Sequence, residues 1–247
     1  MQGDRTIVYK LLGGSRSKII TDITISVNSP EEMARDARNA VDRGYDTLKI
    51  KVGADPSLDV ARLMAVRKEV GDNIRIRIDA KQAVKLLNQM QDKGLDIDFV
   101  EQPVKAHDFE GLQYVTQRSY VPVLADESVF SPEDALKIMQ MGAADMVNIK
   151  LMKCGGLYNA LKIASAAEVY GVECVIGCML EAKISVNAAV HLACAKQIIT
   201  KIDLDGPVLC SEDPILGGAV FNEREITVSN DPGLGIHGIQ GIRYLAD

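Results

Sequence analysis

At 247 residues the chain is long enough for one large domain or two small ones, and its 47% apolar and 25% charged composition is that of an ordinary globular protein. No apolar run approaches the roughly 20 residues that a membrane span needs, and the start MQGDRTIVYK lacks the apolar core of a signal peptide. A net charge of -6, with Lys and Arg spread along the chain, argues against nucleic acid as a partner.

The first twenty residues, MQGDRTIVYKLLGGSRSKII, read as the end of a helix stopped at Gly13 and Gly14, since glycine adopts the left-handed backbone that closes helices. A helix with no visible beginning suggests that something is missing upstream of residues 1–20. From Thr21 onward, short apolar runs alternate with longer helical patterns. The runs are TDITISV, TLKIKVG from Thr47, IRIRIDA from Ile74, IDFVEQP from Ile97, VPVLADE from Val121, MVNIKLM from Met146, ECVIGC from Glu173 and ITKIDLD from Ile199. Each is read as a strand. Segments between them, such as SPEEMARDARNAVDRGY and SPEDALKIMQMG, open on an N-cap serine followed by proline and end near glycine. Eight strands separated by seven helices, joined by right-handed crossovers, predict a parallel α/β barrel of the TIM type, (β/α)7β, over residues 21–206. Residues 207–247 are rich in Gly and Pro with short β-like runs, GAVFN and REITVS, and are expected to form a C-terminal excursion from the barrel.

The junction IDAKQAV departs from this pattern. The third strand ends at Asp79, yet the helical spacing of Ala83, Leu86, Leu87 and Met90 is already under way, where a strand-to-helix connection usually takes about 2 to 6 residues. Several residues are expected to belong between Ala80 and Lys81, with a true deletion as the alternative. Cys154, Cys174, Cys178, Cys194 and Cys210 offer no second pair at zinc-binding spacing and are read as buried free thiols of a reducing cytoplasmic environment.

Functional groups of a parallel barrel gather at the C-terminal ends of its strands. Asp79, Glu101 and Asp126 end the third, fourth and fifth strands. One such acid alone reads as a helix cap or a loop charge. Three at equivalent positions would repel one another and raise each other's pKa values, a conflict that a divalent cation removes. Oxygen-only ligation suits Mg2+ or Mn2+. Zinc is not expected, because His191 lies on a predicted helix, His237 in the tail and His107 past Glu101.

In the second strand Lys49 and Lys51 share one face while Leu48 and Ile50 share the other, so the lysines are expected to point into the barrel. Crowding and desolvation should lower the pKa of one of them toward neutrality, fitting it as a general base. The sixth strand likewise turns Asn148 and Lys150 inward, from the opposite side of the barrel. Asp203 and Asp205 share a face at the end of the eighth strand and read either as a turn signal before Gly206 and Pro207 or as a seat for a substrate ammonium group. Glu181, just past the seventh strand, reads as a mouth residue or a helix cap.

Taken in order, KIK, RIDA, VEQP, ADES and VNIK resemble the muconate lactonizing subgroup of the enolase superfamily, and IGCMLE followed by DLDGP is most similar to its dipeptide epimerases, such as the L-Ala-D/L-Glu epimerases. The resemblance covers nearly the whole chain. It implies Mg2+ held by Asp79, Glu101 and Asp126, with Lys51 and Lys150 as the acid/base pair on opposite faces of a metal-stabilised enolate. Lys49 would tune Lys51, Asp203 and Asp205 would hold the dipeptide ammonium group, and Asn148 and Glu181 would join the substrate site. The resemblance also implies an α+β capping domain, of which residues 1–20 are expected to be a remnant or linker helix, the rest being expected to be missing from this sequence. The excursion of 207–247 is expected to be the part that packs on it. Two alternatives stand beside an epimerase: another activity of the subgroup (o-succinylbenzoate synthase, N-acylamino acid racemase or cycloisomerase), or an inactive lidless barrel. Oligomeric state is open, a homo-oligomer being one outcome.

Overall fold

The computed structural model describes residues 6–53, 56–80, 87, 89, 90 and 92–241. Ahead of the barrel lie α1 (Val8–Leu11), closed by Gly13 at φ +87°, and β1 (Lys18–Ile20). The barrel strands are β2 (Ile23–Ile25), β3 (Thr47–Val52), β4 (Arg75–Ala80), β5 (Phe99–Glu101), β6 (Val123–Ala125), β7 (Met146–Ile149), β8 (Glu173–Gly177) and β9 (Ile199–Asp203). All eight are parallel and pair in chain order. Their register sets Lys51 beside Asp79 and Asp79 beside Glu101.

The barrel is nearly closed. Across the β9/β2 seam, single hydrogen bonds replace a strand ladder: Asp22 N donates to Ile202 O (3.3 Å), Leu204 N to Thr21 Oγ1 (2.8 Å) and Thr24 N to Asp205 Oδ2 (2.8 Å).

Helices α2 (Pro30–Asp42), α3 (Pro56–Val70), α4 (Phe109–Thr116), α5 (Pro132–Met141), α6 (Leu151–Cys154), α7 (Leu157–Tyr170) and α8 (Lys183–Ala195) follow the strands. The Ser-Pro starts behave as expected, with Ser29 Oγ accepting from Glu32 N and Ser131 Oγ from Asp134 N. Single-turn α6 is an addition that the strand–helix alternation did not anticipate. It starts at the residue after Lys150 and returns Lys153 to the same side, because residues three apart share a helix face. Leu87 and Met90 are helical and buried. The expectation of a missing stretch after Ala80 falls on Lys81, outside the described residues, as do Ala83 and Leu86.

Alternation along the strands divides the interior. Outward residues such as Leu48, Ile50, Ile76, Ile78, Val147 and Ile149 are fully buried against the helices, each such side chain contributing about 1.5–3 kcal/mol. That burial fixes the facing of β3, since turning it over would bury ammonium groups among apolar helices. Inside the barrel, Phe99, Leu124, Met146 and Val175 form a separate apolar cluster on β5 to β8. The other half of the interior is polar, with Arg77 paired to Asp22 (2.6 Å) and stacked on Phe99.

Beyond the barrel come α9 (Gly206–Leu209), β10 (Ile215–Gly217), β11 (Val220–Asn222), β12 (Glu225–Thr227) and β13 (Ile236–Ile239). The GAVFN and REITVS runs form a hairpin whose second strand pairs with β1, so the segments flanking the barrel join each other. Asn187 of α8 anchors the excursion, donating to Leu234 O and accepting from Ala219 N. All five cysteines are free; Cys154, Cys174 and Cys194 are buried, but Cys178 is only half-buried and Cys210 is exposed, correcting the uniform expectation.

Candidate active site

A cleft of about 610 Å³ opens at the C-terminal end of the barrel, and Lys49, Lys51, Asp79, Asp126, Lys150, Asp203 and Asp205 line it. Because β3 and β7 stand four places apart in the eight-stranded order, Lys51 and Lys150 enter from opposite walls. The large apolar side chains Phe130, Met152, Met179, Leu180 and Leu209 also line this cleft, and all five are exposed.

Beneath the cleft the charges pair off. Lys49, buried, bridges Glu101 Oε2 (2.6 Å) and Asp203 Oδ2 (2.8 Å). Burial alone would push its ammonium down, but Asp203, Glu101, Asp79 and Asp126 outweigh burial and hold it well above the usual lysine value. The lowered pKa anticipated within the Lys49/Lys51 pair is therefore not found at Lys49, because acids rather than its neighbouring lysine dominate its surroundings. Burial raises Glu101 to about 8; Lys49 opposes this, while Asp126, Asp79 and Asp203 add to it. Asp203 is held low despite burial by its Lys49 contact, whereas burial and Asp203 raise Asp205.

Asp126 receives two lysines. Lys150 Nζ donates to Oδ2 at 2.7 Å, and Lys153 Nζ reaches Oδ1 and the Asp126 carbonyl. Burial would raise the Asp126 carboxyl, but these two ammonium groups hold it well below the carboxylate range. Burial would likewise lower Lys150, yet Asp126 lifts it above the usual lysine value, whereas Lys153 is pushed down by burial. Lys51, by contrast, is exposed at the cleft and makes no ion pair with any described residue.

Two expected substrate residues stand elsewhere. Asn148 does not line the cleft; its Nδ2 donates to Glu101 Oε1 (3.2 Å), so it orients an acid. Glu181 neither lines the cleft nor caps α8, and its Oε1 accepts from Met179 N (2.9 Å) within its own loop. Of the aspartate pair, Asp203 is engaged by Lys49 and by the Asp22 side chain, and Asp205 accepts from Thr24 N across the seam. Lys153 and Glu127, both lining the cleft, were missed by the sequence reading. The spacing of Lys153, three residues after Lys150, was the available signal.

The three acids are not drawn together as a ready ligand cage. Among the described residues no group of three or more His, Cys, Asp or Glu stands at metal-binding spacing, because Lys49, Lys150 and Lys153 each claim carboxylate oxygens. The donor set nevertheless fits a hard divalent cation. It is oxygen-only, Asp126 and Asp79 add to the rise that burial gives Glu101, and the buried Asn148 Oδ1 and Glu127 Oε2 have no hydrogen-bond partner among the described residues.

Residues 32–238 match the family model of the enolase C-terminal domain-like proteins, and the chain belongs to that family. It is 60% identical over 238 residues to the L-Ala-D/L-Glu epimerase of Clostridium acetobutylicum, covering 94% of this chain and 66% of the relative. The chain thus spans about two thirds of the length of the curated relatives it matches. Among solved structures it resembles a substrate-liganded complex of the L-Ala-D/L-Glu epimerase from Bacillus subtilis, with TM-score 0.93 and 45% identity, covering 95% of this chain and 67% of that one. It also resembles the dipeptide epimerase of Enterococcus faecalis complexed with Mg and the dipeptide L-Leu-L-Tyr, with TM-score 0.90 and 44% identity, covering 94% and 67%.

Proposed function

We propose that this chain carries the catalytic barrel of a Mg2+-dependent dipeptide epimerase, an isomerase that inverts the carbon α to the substrate carboxylate by proton transfer between two lysines. The observation that supports it most is the pair Lys51 and Lys150, entering one cleft from opposite walls with acids between them. Lys51, without an ion-pair partner among the described residues, is the base for one face of the substrate. Lys150, kept protonated by Asp126, returns a proton to the other face. The roles exchange for the opposite epimer.

Asp79, Glu101 and Asp126 would hold the Mg2+, with Mn2+ an acceptable substitute. When bound, the ion supplies positive charge at the substrate carboxylate and so acidifies the α-hydrogen. Lys49 neutralises Glu101 and Asp203 and sets the field around Lys51. The carboxylates of Asp203 and Asp205, both lining the cleft, offer an anionic seat for the dipeptide ammonium group, which favours a dipeptide over the subgroup's lyase and cycloisomerase substrates. In this reading residues 1–20 are a remnant of a capping domain or its linker helix, 21–206 are the barrel, and 207–247 are the excursion that packs on the capping domain. No described helix is long and apolar enough to cross a membrane, and the reading is of a cytoplasmic enzyme.

The test is incubation with Mg2+ and a panel of dipeptides in D2O. Deuterium should enter at the carbon α to the carboxylate, with the second epimer appearing. No exchange with any dipeptide would overturn the proposal.

A further inference from the structure

Only two described residues other than glycine have a left-handed backbone: Glu223, at the turn of the β11/β12 hairpin, and Gln102, with φ +44°. Gln102 is the surprising one. It is buried, and it precedes Pro103, which normally drives its neighbour to extended backbone. A side chain held in so sparsely populated a conformation persists only where its surroundings over-determine it.

Its surroundings do so. The Gln102 amide Oε1 accepts from Asp126 N (2.9 Å) and Ser128 N (3.1 Å), while Nε2 donates to Ser128 Oγ (2.8 Å) and Val104 O (3.2 Å). Its backbone N donates to Leu124 O (2.8 Å), continuing the β5/β6 ladder. Ser128 Oγ in turn donates to Ala106 O (2.7 Å). Both hydrogen-bonding atoms of one side chain thus tie the loop after β5 to the loop after β6. The residues directly attached to this clamp are Glu101, the preceding residue on the chain, and Asp126, whose own amide it receives.

We propose that Gln102 is a positioning residue for the divalent-cation site, its amide holding the backbones of Glu101 and Asp126 in one fixed frame so that carboxylates from two strands can serve one ion. The proposal rests on the metal reading above. No other amino acid combines this reach with two acceptor and two donor contacts at that point: alanine loses all four, and glycine loses them while relieving the backbone.

The experiment compares Mg2+ affinity, by isothermal titration calorimetry on the full chain, with the thermal midpoint in EDTA for wild type, Gln102→Ala, Gln102→Gly and Asn187→Ala. Asn187 makes a comparable buried amide clamp on the excursion, remote from the acids, and serves as the control for general loosening. The expected result is a loss of Mg2+ affinity of about 10-fold or more in both Gln102 variants, the usual effect of removing a partner that orients a ligand. Gln102→Gly should lose affinity even though its backbone strain is gone, and Asn187→Ala should lower the midpoint while leaving affinity within about 2-fold. A wild type that binds Mg2+ while both Gln102 variants match it overturns the proposal and leaves the metal reading standing. A wild type that binds no Mg2+ overturns both.

Discussion

Lys49→Met removes the ammonium group that two buried acids both contact. Lys49 lies 2.6 Å from Glu101 and 2.8 Å from Asp203, and all three side chains are almost inaccessible to water. Breaking a buried pair by deleting one partner costs about 3–5 kcal/mol, because the remaining charge is left uncompensated. For a chain of this length that corresponds to a fall in Tm of roughly 6–20 °C. The pH dependence adds a second signature. Glu101 already titrates near 8, above its unfolded value, so it takes up a proton on folding and its cost grows as pH rises through the interval from its unfolded value to about 8. Asp203, held low by Lys49, contributes stability that is present above its unfolded pKa and lost as pH falls through its folded one. Removing Lys49 raises Glu101 further and weakens the Asp203 contribution, of which Lys49 is the largest source. The gap between wild type and variant should therefore be widest above pH 8 and narrow toward pH 4. Urea unfolding in EDTA across that range measures it. A variant within about 1 kcal/mol of wild type at pH 8 would refute the claim that these acids need Lys49.

Lys150→Ala and Lys51→Ala should each abolish epimerisation, yet each should still exchange the α-hydrogen of one epimer with D2O, the losses being about 100-fold or more; equal loss of exchange for both epimers would contradict a two-base transfer. Gly177→Ala places a methyl 2.8 Å from Lys150 Cε and 3.0 Å from Asn148 Oδ1; a displacement of about 1 Å can cost on the order of 100-fold in rate, and kcat should fall with far less change in Tm. His191, buried on α8 with Nδ1 accepting from Tyr9 N, is held below its ordinary pKa by burial, the Leu234 carbonyl opposing in part. Its neutral form is favoured on folding, so stability should decline as pH falls below about 6.5, and His191→Gln should flatten that part of the curve. Mg2+ should raise Tm in proportion to the logarithm of its excess over Kd, reversibly with EDTA; a Tm indifferent to Mg2+ would argue against the ion site.

Local pattern carried much of the outcome. The eight barrel strands, the Ser-Pro helix starts and the inward facing of Lys49, Lys51, Asn148 and Lys150 were legible because strand alternation and helix capping act over a few residues. The same pattern put Asp79 and Asp126 at the cleft. What each group does there was decided by partners far away in the chain. Lys49 is tied to Asp203, 154 residues on, which raises its pKa where its neighbour Lys51 alone would have lowered it. Asn148 turned to Glu101 and Glu181 to its own loop because a buried or half-buried polar group takes the nearest hydrogen bond, which no spacing rule reveals. Pairing of β1 with β12 and the Gln102 clamp across two loops were equally invisible. The sequence by itself determined that Lys49, Lys51, Lys150, Asp79 and Asp126 meet at the end of the barrel, since period and position are local. Only the tertiary structure decided how their charges are shared, since electrostatics and hydrogen bonding depend on distances that the fold alone creates.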